Sequence, residues 1–433
     1  MLPVLLLLAS VVAMLTYLCL GNERSLRLAS IGWSSVIALI AFGVAVPVLM
    51  GQTLPAAYLL HVDALAALLI ALVGFVQWTA TLVSGPYLRE ELHEKIITFK
   101  QARVYHVLLQ LFVLSMMLVL MADTIGIMWI ALEATTLATT MLVAFYMREG
   151  SLEAAWKYIV LCSVGISLGL LGVLLVSYAS LQAGAGLGSD ALSWEALRAS
   201  AKLFNPAVMR WTFIFIFVGY GTKVGIVPMH TWLPDAHRLP ISGMLSGVLL
   251  SVALFAILRF KGLTDAALGS SVWTNQLFLV FGVLSFCVPA AFIIVQKNYK
   301  RLLAYSSIEH MGFMVFCLGL GTPGILPAII HLIGHSLLKS MLFFGTGNIL
   351  LRWKSTKFDN VGPLMGALPY TGSLFVLGLL LLLAVPPSPL FLSEYLGLVA
   401  AFSTHPIFAV AILLGGSIIF AGMIKNVMPM VYG

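Results

Sequence analysis

Long apolar runs, separated by short polar breaks, follow one another from one end of the chain to the other. Since a helix needs about 20 apolar residues to cross a bilayer, each run predicts a membrane span. The pattern therefore predicts an all-α, polytopic membrane protein with about 13 (13–14) transmembrane helices. The predicted spans lie near 2–20, 28–50, 56–84, 104–121, 124–146, 157–179, 211–235, 240–260, 271–295, 302–320, 324–351, 368–403 and 405–424.

Glycine and proline interrupt two of these spans, the seventh and the twelfth. Gly225 and Pro228 follow Lys223 in the seventh span, and the run VPPSP at 385–389 divides the twelfth into half-helices near 368–385 and 390–403. Broken helices in corresponding places of two halves indicate inverted repeats. The predicted organisation is N-terminal helices (spans 1–3) at 1–103, a first five-helix inverted repeat (spans 4–8) at 104–260 and a second (spans 9–13) at 271–424.

The composition and the placement of basic residues support a membrane protein and give its orientation. Of the 433 residues, 61% are hydrophobic and 9% are charged, and the net charge is +7. The loops that follow odd-numbered spans, with the C-terminal tail, hold 15 of the 23 basic residues, including Arg238, whereas the even-numbered loops hold five. The positive-inside rule then places the odd loops in the cytoplasm and the N-terminus outside. We expect a multi-pass protein of a prokaryotic inner (cell) membrane, and the net charge gives no case for nucleic-acid binding.

Charged residues at mid-membrane depth are the strongest functional signal. A lysine there costs roughly 2.5–3.5 kcal/mol, so Lys223 beside a helix break suggests an ion or proton route. Glu133 lies in the middle of the fifth span. Pairing with Lys223 would reduce the cost of both charges and couple their protonation. A static structural ion pair is the alternative.

A second group of titratable residues lies in the tenth to twelfth spans. His331, His335 and Lys339 are spaced i, i+4, i+8, which places them on one helical stripe and suggests a proton wire. The adjacent Glu309 and His310 lie near mid-depth of the tenth span, and Glu394 follows the twelfth-span break. Lys157, Asp235 and His237, near the membrane surfaces, are candidate gate residues; snorkelling is the competing interpretation for Lys157 and solvation for the other two.

The four cysteines (Cys19, Cys162, Cys287 and Cys317) are scattered singly, without the spacing of an iron–sulfur or zinc site. The sequence also has no P-loop and no dinucleotide fingerprint in a strand–helix context. We therefore expect no cofactor, no metal and no catalytic redox centre in this chain.

Several motifs in a fixed order resemble the antiporter-like proton-channel subunits of respiratory complex I and of the multisubunit cation/proton antiporters. They are WIALEATTLA, SLEAAWKYIVLCSVG, GTKVGIVPMHTWLPDAH, KRLLAYSSIEHMGF, HLIGHSLLKSMLFFGTG and VPPSPLFLSEYLGL. The details are most similar to hydrogenase-4 component F type subunits of membrane-bound hydrogenase complexes. The resemblance implies an ion pair of Glu133 with Lys223 in one half-channel, and a relay through Lys339 and Glu394 in the other, with His331 and His335 between them.

The resemblance also implies the partners: other membrane subunits, including further antiporter-like subunits, and a peripheral hydrogenase-like redox arm. The expected function is proton translocation, with sodium as an alternative ion, driven by a redox reaction in neighbouring subunits. The alternatives are an ion-conducting subunit of a sodium/proton antiporter complex without a redox partner, and an inert membrane anchor. Where the family commonly has a lysine in the eighth span, this chain has Ser251. We therefore expect a hydrated region there, with Glu309 or His310 turned towards it.

Overall fold

The computed structural model describes residues 1–53, 59–184, 192–237 and 241–433. Helices make up nearly all of these ranges, and no β-strand of more than an isolated bridge occurs within them. The prediction of an all-α, polytopic membrane protein is confirmed. Residues 56–58 of the third predicted span, residue 240 of the eighth, and Arg238 lie outside the described residues.

The chain divides into two compact units. The first comprises Met1–Lys223 and Ser251–Ser271. Short 3-10 turns and capped helix ends connect its elements; Asp63, for example, caps α3 through the backbone nitrogen of Ala66. Its helices are α1 Leu2–Cys19, α2 Glu23–Leu49, α3 Ala64–His93, α4 Phe99–Met121, α5 Ile125–Val143, α6 Glu149–Gln182, α7 Trp194–Ser200 and α8 Pro206–Val224.

The second unit comprises Val224–Leu250 and Val272–Gly433. A π-helical stretch, Leu245–Leu249, joins α10 to α11, so that Ser242–Leu268 is one continuous helix that passes from this unit into the first. The elements of this unit are α9 Leu233–Ala236, α10 Ser242–Met244, α12 Val272–Val295, α13 Tyr299–Gly319, α14 Thr322–Trp353, α15 Leu364–Ala367, α16 Pro369–Leu382, α17 Pro389–Thr404 and α18 Pro406–Tyr432. Helix α11, Leu250–Leu268, belongs to the first unit apart from its first residue.

Among the described residues, 11 helices are long and apolar enough to cross a membrane, or 12 if the bent segments Phe358–Ala367 and Pro369–Leu382 form one span. Two further helices lie outside that count. The 19-residue helix α8 carries Arg210 and Lys223, and α17 has only 16 residues. The count of 13 spans therefore stays a prediction.

Both predicted helix breaks are present. Helix α8 ends at Val224, and Gly225 adopts a left-handed φ of 82°, which a residue without a Cβ reaches at little cost. Helix α16 ends at Leu382 and α17 begins at Pro389, where the side chain of Ser388 accepts a hydrogen bond from the Leu390 backbone nitrogen. The breaks place Lys223 at the last turn of one helix and Glu394 in the second turn of another.

Candidate functional site

Small residues bring α6 and α8 into close contact in the first unit. A Cβ added to Gly219 of α8 would lie 2.5 Å from the backbone nitrogen of Gly169, and one added to Gly165 would lie 2.7 Å from Thr222. Gly165 and Gly169 form a GxxxG pair, a pattern that lets membrane helices approach backbone to backbone. This close approach brings the end of α8, which carries Lys223, against the first half of α6.

The ammonium group of Lys223 is fully buried and is held by hydroxyl groups. Its Nζ donates to Tyr158 Oη of α6 at 2.6 Å and to Thr136 Oγ1 of α5 at 2.9 Å. The Tyr158 hydroxyl also contacts Thr139 Oγ1 at 2.7 Å, and Nζ lies 5.0 Å from the centre of the Tyr158 ring. Hydrogen bonds from a charged donor are about twice as strong as neutral ones, so this cage stabilises the buried charge.

Glu133 lies one turn before Thr136 on α5 and is half-buried. One carboxylate oxygen accepts a hydrogen bond from Ser163 Oγ at 2.9 Å. Within the described part of the chain it forms no ion pair with Lys223, so the expected direct pair is not made. Two of the three N–H donors of the Lys223 ammonium group bond instead to Thr136 and Tyr158.

In the second unit, Lys339 lies on α14 and is fully buried. Its Nζ donates to the backbone carbonyl oxygen of Leu303 on α13 at 2.7 Å. His335 lies one turn earlier on the same stripe and is also fully buried, with its ring centre 5.4 Å from that of His310. The predicted stripe therefore faces the interior of the unit.

Two further histidines and Ser393 form a hydrogen-bonded chain across three helices, with Glu309 beside it. His310 Nδ1 lies 3.0 Å from His331 Nε2, and His310 Nε2 lies 3.4 Å from the Glu309 carboxylate. His331 Nδ1 in turn lies 2.8 Å from Ser393 Oγ on α17. Gly334 allows this approach, because a Cβ at that position would lie 3.0 Å from Leu390 at the start of α17.

Glu394 follows Ser393 on α17, and its carboxylate lies within 4.8 Å of ring nitrogens of His310 and His331. Together with Glu309 and His310 it lines a small cavity of about 30 Å³, which Leu382 and Leu383 border at the end of α16. About 10–15 Å³ suffices for one water molecule, so this cavity has room for water between the carboxylates. Titratable groups from α13 and α17 therefore line one cavity that is large enough for water.

The three gate candidates have separate surroundings. Lys157 is exposed on α6 and pairs with Glu153 at 2.5 Å. In the second unit, Asp235 pairs with Arg301 at 3.4 Å, and His237 is buried, with Nδ1 2.7 Å from the Leu233 carbonyl oxygen and its ring stacked on Phe343. The gate role of all three stays a prediction.

Ser251 is fully buried, and its hydroxyl has no hydrogen-bond partner among the described protein groups. It belongs to the first unit, whereas Glu309 and His310 belong to the second. The hydrated region expected around Ser251 stays a prediction.

The sequence interpretation missed the hydroxyl partners. Sequence analysis did not identify Tyr158, Ser163 or Ser393 as partners of the buried charged and titratable groups. A signal for Tyr158 does exist: Tyr158, Cys162, Gly165 and Gly169 share one stripe of α6, and all four are buried. An aromatic hydroxyl on the same stripe as a GxxxG pair points into a helix–helix contact and away from lipid.

The chain is similar to known membrane proteins over most of its length. Residues 122–419 match the family model described as NADH:quinone oxidoreductase/Mrp antiporter, TM. The chain is 36% identical over 423 residues to the hydrogenase-4 component F homolog of Methylacidiphilum infernorum, covering 96% of this chain and 87% of that protein.

The chain is also similar, at lower sequence identity, to other membrane proteins. The chain is 27% identical to hydrogenase-4 component B of Escherichia coli over 83% of its own length and 53% of that protein. It is 28% identical to NAD(P)H-quinone oxidoreductase chain 4 of Gloeobacter violaceus over 79% and 62% of the two lengths. Among solved structures, a chain of the membrane-bound sulfane sulfur reductase, an archaeal respiratory membrane complex, superposes with a TM-score of 0.85 over 99% of this chain and 87% of that chain, at 23% identity. That last similarity establishes the fold alone.

Proposed function

We propose that this chain, which belongs to the NADH:quinone oxidoreductase/Mrp antiporter transmembrane family, is a proton-translocating membrane subunit of a redox-driven respiratory complex. The observation that carries the proposal is the pair of fully buried lysines, Lys223 in the first unit and Lys339 in the second. Each costs roughly 2.5–3.5 kcal/mol at mid-membrane, so two of them are hard to explain in an inert anchor. The names of the relatives, hydrogenase-4 components and a quinone oxidoreductase chain, support a redox-driven complex.

In the first unit, the proposed path uses Glu133 and Lys223, with hydroxyl groups between them. Ser163 bonds to the carboxylate, and Thr136 and Tyr158 bond to the ammonium group. Proton transfer requires groups within hydrogen-bond reach, roughly 2.6–3.2 Å, and these contacts satisfy that requirement at both ends. A change of charge on Glu133 alters the field at Lys223, which couples the two without direct contact.

In the second unit, the proposed path runs through Lys339 and the histidine cluster to Glu394. From Lys339 the proposed path continues to His335, which lies one turn earlier on α14. His310 and His331 lie at hydrogen-bond distance from one another. Glu309 and Glu394 face the same small cavity, which supports a short water link between them. Neutral imidazole both donates and accepts, so a pair of histidines can pass a proton in either direction.

The partners of this chain are other membrane subunits of a multisubunit respiratory complex. We further propose that these include additional antiporter-like subunits and a peripheral hydrogenase-like arm that carries the redox reaction. The location is the cell membrane of a prokaryote, with the N-terminus outside.

The test uses the intact complex reconstituted into vesicles. Electron transfer, internal acidification and sodium uptake are measured in parallel for the wild type, Lys223→Gln, Lys339→Gln and a surface control, Lys202→Gln. The two buried variants should lose proton translocation while the control keeps it. Sodium uptake without proton movement would favour the antiporter alternative, and unchanged proton pumping in both buried variants would contradict the proposed path.

A further inference from the structure

Two histidines and a glutamate, one from each of three helices of the second unit, converge on a single point. The ligand atoms of His310, His331 and Glu394 all lie within 4.8 Å of one another. Two imidazoles and a carboxylate form the donor set of zinc sites that keep a fourth position open. We propose that these three residues bind one Zn²⁺ ion.

The hydrogen bonds of Ser393 determine which nitrogen of His331 is available to a metal ion. The Ser393 hydroxyl donates its single proton to the Leu390 carbonyl oxygen at 2.8 Å. Its oxygen therefore accepts from Nδ1–H of His331, also at 2.8 Å. As a result, Nε2 carries the lone pair, and this nitrogen faces His310 and Glu394.

His310 has the complementary arrangement. Its Nδ1 faces His331 Nε2 at 3.0 Å, and its Nε2 faces the Glu309 carboxylate at 3.4 Å. When Zn²⁺ binds Nδ1, the neutral ring carries its single proton on Nε2 instead, so the proton moves from one ring nitrogen to the other, and Nε2–H faces the Glu309 carboxylate at 3.4 Å. Zinc-binding histidines almost always donate their other N–H to an oxygen acceptor, which fixes the ring and the tautomer. Both histidines have such an acceptor in place, Ser393 for one and Glu309 for the other.

The surroundings offer access and a fourth ligand. The cavity of about 30 Å³ borders His310 and Glu394 and has room for a water molecule, which would complete a tetrahedral site. Both histidines are buried, whereas Glu394 is partly exposed and is the ligand nearest the surface of the chain. Imidazole ligands favour Zn²⁺ over Mg²⁺ and Na⁺, which prefer oxygen, so the site discriminates against the abundant cations.

Zinc binding is measured directly on the purified full-length chain, with no proton gradient and no redox reaction, so the result is independent of the proposed function. The metal-stripped protein is equilibrated with Zn²⁺ in excess Mg²⁺, and bound zinc is counted by mass spectrometry. The wild type should bind one ion, and His310→Gln, His331→Gln and Glu394→Gln should each lose it. His106→Gln, which changes a buried histidine of α4 in the first unit, is the matched control and should retain it.

Two milder variants keep the test decisive if the histidine variants do not fold. Ser393→Ala removes only the outer hydrogen bond and should weaken zinc affinity by about 10–100-fold. Ser403→Ala lies on the same helix, where its hydroxyl bonds to the Ala400 carbonyl oxygen, and should leave the affinity unchanged. X-ray absorption of the bound zinc should show nitrogen and oxygen neighbours at about 2.0–2.1 Å. Absence of bound zinc in the wild type, equal affinity in Ser393→Ala and Ser403→Ala, or sulfur neighbours would overturn the assignment.

Discussion

At the scale of single residues, the unusual feature is that hydroxyl groups hold a buried charge that a carboxylate was expected to neutralise. The two hydrogen bonds from Lys223 go to Tyr158 and Thr136. A hydrogen bond to a charged group contributes about 1.5–3 kcal/mol, so two of them offset a burial cost of roughly 2.5–3.5 kcal/mol. The buried charge of Lys223 therefore has hydrogen-bond partners without direct contact to Glu133.

Removal of the Tyr158 hydroxyl should disturb both stability and proton movement. Tyr158→Phe deprives the Lys223 ammonium group of its shorter hydrogen bond and should lower the free energy of unfolding by about 1.5–3 kcal/mol. Proton translocation per electron transferred should fall at least several-fold in reconstituted vesicles. Tyr178→Phe is the matched control, because Tyr178 is exposed on the same helix and bonds only to Gln182 among the described residues. Similar behaviour of the two variants would argue against a role for the Tyr158 hydroxyl.

Glu133→Gln removes the carboxylate charge at the other end of the proposed path and keeps nearly the same side-chain shape. The amide oxygen of glutamine can still accept from Ser163, so the complex should assemble normally. Proton translocation should be abolished or strongly reduced, because the amide has no exchangeable charge. The comparison is with Glu149→Gln, an exposed residue at the start of α6. Normal pumping by a fully assembled Glu133→Gln complex would exclude this carboxylate from the path.

At the scale of helices, the break after Lys223 depends on one glycine. Gly225 has a φ of 82°, and an added Cβ would lie 3.4 Å from Leu233, which is an ordinary contact. The cost of Gly225→Ala is therefore conformational and should be about 1–2 kcal/mol of unfolding free energy. Gly262→Ala, in the middle of α11 with nothing within 4 Å of its added Cβ, should instead stabilise by about 0.5–1 kcal/mol. Measurement of the unfolding free energy of both variants in detergent checks that the two changes have opposite signs.

The helix breaks could be predicted from the sequence, whereas the partners of the buried charges could not. Gly225 and the prolines at 386–389 act locally, through backbone preferences that any chain shares. The contacts of Lys223 join residues 65 and 87 positions apart, and they exist because Gly165 and Gly169 let two helices approach closely. Helical periodicity predicts which face of a helix is buried, but it carries no information about the side chain that meets that face.

The same distinction explains Lys157. Its position in the run WKY next to a predicted membrane surface suggested snorkelling or a gate. In the structure it forms an exposed i, i+4 pair with Glu153 on α6, an interaction of small energy. The neighbouring Tyr158, one position further along the helix, is buried and contacts Lys223. A rotation of about 100° between adjacent residues thus separates a surface residue from a proposed functional one.

At the scale of the whole molecule, each unit contains a buried lysine, Lys223 in the first and Lys339 in the second, together with carboxylates and hydrogen-bonding side chains. In the first unit these partners are hydroxyl groups, and in the second they include three histidines. A proton that moves through such groups must start and end in water, so the direction of transport depends on which loops face the cytoplasm. The bias of basic residues towards the odd-numbered loops gives that orientation.

Labelling of introduced cysteines tests the orientation. Lys100→Cys and Lys357→Cys lie in exposed segments of odd-numbered loops, and Lys202→Cys lies in an exposed segment of an even-numbered one. Because 15 basic residues occupy the odd loops and tail against five in the even loops, a membrane-impermeant thiol reagent applied to intact cells should label only Lys202→Cys. Inverted vesicles should give the opposite pattern. The parent protein controls for Cys19, which is exposed. Labelling of Lys100→Cys or Lys357→Cys from outside would reverse the predicted topology, and with it the direction in which Glu133 and Glu394 would carry protons.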